Sequence, residues 1–199
     1  MTLRARSFID YRSMHAYIQR AWPACQLLEN LLNNGQAAQV MELAEHALQV
    51  GNTALENVDD SDGSLGEILT TIAELHHRAC IAAKPDPQQL AKTLFALEQQ
   101  NDWGMIEFEK YQHLLGKSGL KQVKQLAQQQ WQNVPIKQKR EYNPFGPDPH
   151  IFITRLMERI ARLENDVDEL IEIKKHDLTR PHCFLSIAEI YTEAGRHGE

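Results

Sequence analysis

Apolar residues recur along this chain at spacings of three and four. Val40, Leu43, Ala44, Ala47 and Leu48 fall on one stripe of a helix, and Leu65, Ile68, Leu69, Ile72 and Leu75 repeat the spacing in the next segment. Ile153, Leu156, Met157, Ile160 and Leu163 do so again, followed by Phe184, Ile187, Ala188 and Tyr191. Nowhere do four or more residues alternate apolar with polar as a half-buried strand does. β-branched residues are sparse, while Gln, Glu, Leu and Ala abound. The pattern predicts an all-α protein with helices over roughly 10–33, 37–58, 64–83, 87–100, 104–115, 119–132, 149–164, 167–176 and 181–194.

Turn and cap residues agree with those boundaries. In KPDPQQLAKTLF, Pro85 ends one helix, Asp86 caps the next and Pro87 enters its first turn, where a missing N–H costs nothing. Asp148 and Pro149 repeat the device, and Asn165 or Asp166 caps the segment NDVDELIEI. Pro23 is expected to kink or split the first helix, and Gly51 weakens the second by about 1 kcal/mol relative to Ala. Short turns between helices predict antiparallel αα-hairpins stacked into a tetratricopeptide-like alpha-alpha superhelix. The fragments LLNNGQAAQVMELAEHALQ and IYTEAGRHGE each put a glycine-centred turn after an apolar-faced helix, as such repeats do, without a strict period. The expected organisation is a helical-repeat region over 1–133, a loop or linker over 134–148 and helical hairpins over 149–199. A last helix docked through Phe184, Ile187 and Tyr191 leaves an unpaired flank. That flank is expected to meet either further helices of a longer parent chain, from which this piece is truncated, or another copy in a homodimer.

Composition narrows the function classes. Of 199 residues 42% are hydrophobic and 24% charged, as in an ordinary globular domain, and the formal charge is −6. That acidic balance supplies no overall field for nucleic acid. Three widely spaced cysteines, Cys25, Cys80 and Cys183, fit a reducing compartment rather than a disulfide framework. With neither a secretion signal nor an apolar run of membrane length, the expectation is a cytoplasmic protein that does not enter the membrane.

Candidate chemistry is thin. VDDSDGSLGE offers Asp60 and Asp62 as ligands three and five of a calcium loop with Gly63 at six, but Val58 and Leu69 stand where its first and twelfth carboxylates belong. A turn, with Asp62 or Ser64 capping the following helix, is the better reading. Gly116-Lys117-Ser118 resembles the end of a phosphate loop, yet Tyr111 replaces the required earlier glycine and helix rather than strand precedes it, so Ser118 is read as a cap. His76, His77 and Cys80 share a helical turn, with Cys25, His182 and Cys183 too distant in sequence to complete a zinc site by spacing alone. Lys117, Lys121, Lys124, Lys137, Lys139 and Arg140 form the one basic concentration, near Trp131 and Tyr142, and are the candidate contacts for phosphate or an acidic partner. No catalytic, cofactor or metal-binding residue is assigned.

The blocks FIDYRSMHAYIQRAW, GQAAQVMELAEHALQ, DDSDG, ELHHRACIAAKPDPQQLAKTLFALE, WQNVP and HDLTRPHCFLSIAEIYTEAGRHGE, in this order, resemble the uncharacterised helical region that follows the SWIM zinc finger in certain large bacterial proteins. The resemblance covers nearly the whole chain and implies a tetratricopeptide-like segment of an intracellular bacterial protein. None of Cys25, Cys80 or Cys183 begins the C-x-C and C-x-H pairs of the finger, so no zinc ligand carries over. In that family the closing motif runs into another helix, whereas here it stops at Glu199. The reading is a non-enzymatic helical-repeat scaffold that binds another protein or other domains of its parent chain. Two alternatives stand beside it. One is an auxiliary nucleic-acid-binding segment using the basic residues. The other is a metal-dependent enzyme built on His76, Cys80 and the aspartates at 59, 60 and 62.

Overall fold

The structure is a computed structural model that describes residues 3–5, 7–100, 106–137 and 150–197. The protein is all-α: helices α1 (Tyr11–Ala21), α2 (Pro23–Asn33), α3 (Ala37–Leu55), α4 (Ser64–Ala83), α5 (Pro87–Gln99), α6 (Gln112–Trp131), α7 (Ile151–Glu164), α8 (Val167–Lys175) and α9 (Pro181–Glu193), with a 3-10 turn over Phe108–Tyr111. Among the described residues there is no strand, only single bridges at Ile9–Val58 and Lys137–Asp177. No helix among them is long and apolar enough to cross a membrane.

Local chemistry sets the helix ends. Asp10 and Asp86 cap α1 and α5, accepting from Ser13 N at 2.8 Å and from Gln89 N at 2.8 Å. Asp166 caps α8 by accepting from Glu169 N at 2.9 Å, while Asn165 takes the left-handed conformation that closes α7. The two turns picked out in the sequence share one geometry. Gly35 and Gly195 sit at φ 78° and 71°, and the next residue donates back five positions, Gln36 to Leu31 O and Arg196 to Tyr191 O. Residues with a Cβ reach that φ only under strain. Pro23 splits the first expected helix: Trp22 keeps helical dihedrals, and Pro23 starts α2 as its first residue.

The chain divides into two compact units, Met1–Gln122 and Val123–Glu199, within α6 and so before the break expected at 134–148. The reason lies in the second half of α6. Lys124 donates to Glu164 and Glu169, and the Trp131 ring lies 4.4 Å from that of His176, so these turns pack with the later helices. In the first unit α4 is central. It packs against α1, α2 and α3 and buries Leu65, Ile68, Leu69, Ile72, Leu75 and Ala79. Each of these leucines and isoleucines contributes roughly 1.5–3 kcal/mol of transfer free energy. In the second unit α8 packs against both α7 and α9. There Ile190 is the buried residue of α9, Ile187 and Tyr191 are half-buried, and Phe184 is 51% exposed. The docking stripe of α9 is therefore centred on Ile190 and leaves out Phe184, which the sequence placed on it.

Candidate functional site

The acidic turn is a capping device. Asp60 accepts from Leu65 N at 2.8 Å and Gly66 N at 3.0 Å, satisfying first-turn donors of α4 from outside the helix. Asp62 accepts from Ser64 N, and Asp59 holds the backbone and hydroxyl of Ser61. The cap is thus Asp60 rather than Asp62 or Ser64. At Gly116 the backbone leaves helical dihedrals (φ 51°, ψ −162°), making a kink within α6 where the sequence breaks between two helices.

His76 and Cys80 do come together, but in a sealed interior. His76 is fully buried, its Nδ1 2.8 Å from the Tyr111 hydroxyl and its Nε2 3.3 Å from Glu45 Oε1. The consistent assignment has Nε2–H donating to the carboxylate and Nδ1 accepting from Tyr111. Cys80 Sγ lies 3.6 Å from His76 Nε2. Burial, helped by the Glu45 charge, pushes the Cys80 thiol up to about 12 and holds Tyr111 far above the usual phenol range. Burial also pushes Cys25 up to about 11. Neither thiol is therefore predisposed to the thiolate form that a nucleophile or ligand needs. Among the described residues no three His, Cys, Asp or Glu side chains gather closely enough to hold a metal ion.

His77, one position on, borders a shallow groove of about 430 Å³ lined by Thr70, Glu74, Arg78, Glu107, Lys110 and Tyr111 among others. Its cations are engaged, Arg78 with Glu29 at 2.9 Å and Lys110 with Glu107 at 2.7 Å. His77 Nε2 lies 3.0 Å from Lys110 O, and burial holds its pKa below the ordinary histidine value.

The basic residues fall in both units. Lys117 and Lys121 are exposed in the first unit, whereas Lys124 and Lys137 belong to the second. Lys124 is clamped between two glutamates; its partial burial opposes the charged form, but the hydrogen bonds it donates to Glu164 and Glu169 prevail and raise its pKa. Lys137 pairs with Asp177 at 3.2 Å. Lys139 and Arg140, like Tyr142, lie outside the described residues.

Two apolar surfaces are exposed, one on α1, which the sequence reading passed over, and one on α9, where it expected an unpaired flank. On α1 the stripe Met14, Tyr17 and Ala21 is buried, anchored by the Tyr17 hydroxyl donating to Leu3 O at 2.5 Å. Desolvation of that phenol pushes its pKa up to about 12. A second stripe at 4-3-4 spacing, Tyr11, His15, Ile18 and Trp22, faces outward. Tyr11 is 59% and Trp22 42% exposed, and Phe8, just before the helix, is 68% exposed. Its spacing was readable, but the kink or split expected at Pro23 did not say that Trp22 would stand exposed at the junction. The second surface is α9, where Phe184 and Leu185 stand exposed.

No curated protein and no solved structure matches this chain. A family model matches residues 1–199 and carries no link to a SWIM zinc finger or to tetratricopeptide repeats. The chain belongs to DUF6880, a family of unknown function.

Proposed function

We propose that this protein is a non-enzymatic helical scaffold whose first unit takes an amphipathic helix of a partner protein along the outer stripe of α1. The observation that carries the reading is the exposed set Phe8, Tyr11 and Trp22, with Ile18 half-buried between them. Tyrosine and tryptophan are the residues on which interface energy concentrates, because large rigid rings bury much area at small entropic cost. The 4-3-4 recurrence is the spacing of a helix–helix seam, so the complementary surface is another helix presenting apolar residues in the same rhythm. The buried His76–Tyr111 pair with its half-buried partner Glu45, and the capping aspartates, point the same way: their polar groups hold the fold together. Stacked hairpins of tetratricopeptide type, as in the helical region that the sequence resembles, would present such a stripe along an extended face.

The test is affinity capture with the full chain as bait, run beside a Tyr11→Ala/Trp22→Ala variant whose thermal unfolding is unchanged. Partners specific to the intact stripe should be lost by the variant. Capture of the same proteins by both baits would remove α1 as the docking surface. Salt-sensitive retention of nucleic acid, abolished by Lys117→Glu/Lys121→Glu, would favour the nucleic-acid reading instead.

A further inference from the structure

Helix α9 is apolar around more of its circumference than its own unit covers. Cys183, Ile187 and Ile190 face inward, where α8 packs. Pro181, Phe184, Leu185, Ala188 and Thr192 form a second, exposed sector, with Phe184 at 51% and Leu185 at 64% exposure. A helix apolar on both sides is one encoded for burial on both sides. Beside the exposed sector runs a line of His182, Glu189 and Glu193, all exposed, and neither glutamate forms an ion pair among the described residues.

We infer that the occupant of this surface is α9 of a second copy, packed antiparallel about a two-fold axis between Ser186 and Ile187. In that register Leu185 meets Ala188 of the second copy and Pro181 meets Thr192, so the large side chain on one helix faces a small one on the other. The same operation sets His182 alongside Glu189 and Glu193 of the second copy, where an imidazole N–H finds a carboxylate acceptor. The two helix dipoles then run opposed. A parallel arrangement carries the His182 lines of the two copies to opposite sides of the seam, so His182 meets no glutamate of that line. The antiparallel surface is thus complementary to itself in both size and hydrogen bonding, as an isologous contact requires. One thirteen-residue helix per copy falls short of the roughly 800 Å² per partner of a standard stable interface, so the dimer is reversible and concentration-dependent.

Sedimentation velocity of the 199-residue chain over about two decades of concentration across the micromolar range tests this. The expected result is a monomer–dimer equilibrium. Ala188→Glu should abolish it, and His182→Glu should weaken it about tenfold. Adding Glu189→Lys/Glu193→Lys to His182→Glu should restore it. A monomer at every concentration, or a dimer indifferent to Ala188→Glu and to the charge exchange, overturns the inference. So does a dimer lost only in Tyr11→Ala/Trp22→Ala, which would make α1 the self-contact. The expectation that those α1 changes leave sedimentation untouched separates this result from the docking experiment.

Discussion

At Tyr111 a single hydroxyl holds three elements together. It reaches His76 of α4, whose other nitrogen reaches Glu45 of α3, while Tyr111 itself closes the 3-10 turn before α6. Tyr111→Phe keeps the ring but leaves buried His76 Nδ1 unpaired, and should destabilise the protein by about 1–3 kcal/mol in denaturant unfolding. Gly51 is a second residue at which two effects compete. Alanine would improve helix propensity by about 1 kcal/mol, but a Cβ there would collide with Leu69 Cδ2 in a filled interior. Overpacking costs about 1–3 kcal/mol, so Gly51→Ala should lower the melting temperature rather than raise it. His77 sets a pH dependence. Its pKa is depressed in the folded state, chiefly by burial, so the unfolded chain takes up the proton first. Its contribution is complete above pH 6.5 and is lost as pH falls from there through the folded value. Thermal melts between pH 7.5 and 5.5 should therefore fall less steeply for His77→Gln than for the parent.

Element boundaries follow from neighbouring residues, and most were legible. Asp86 with Pro87, Asp166, Gly35 and Gly195 act locally, through bonds within five residues, so the sequence identifies them without knowledge of the fold. The cap of α4 was harder to read, because Asp60 reaches over the turn to Leu65 and Gly66 while Asp62, nearer the helix, serves only Ser64. Asp60→Ala should cost about 1 kcal/mol and Asp62→Ala measurably less, since removing the former leaves helix donors without a partner. Pro23 shows the limit of punctuation. It marked a break but not how the break is used, which is to set the bulky Trp22 at the exposed junction of two helices.

For the molecule as a whole, two surfaces on separate units are left uncovered, α1 in one and α9 in the other. Each proposed interaction should fail alone: Trp22→Ala removes capture and leaves the dimer, whereas Ala188→Glu removes the dimer and leaves capture. Coupled loss in either variant would show that the surfaces do not act independently. The basic residues illustrate why charge was less legible than helix. Lys124 and Lys137 look available in sequence, yet each lies beside acidic side chains some forty positions away. A positive run in sequence becomes a binding surface only if the fold brings no carboxylates to it.

The amino-acid sequence by itself determined that the chain is helical and where most helices begin and end. Helical period and capping act over a few residues, so every partner they need is in the neighbouring sequence. Tertiary structure alone decided which apolar stripes are inside. On α1 and α9 two stripes run side by side at the same spacing, and nothing local distinguishes Tyr17 from Tyr11 or Ile190 from Phe184. The difference is made by residues far along the chain or on another helix, whose packing covers one stripe and leaves the other to water.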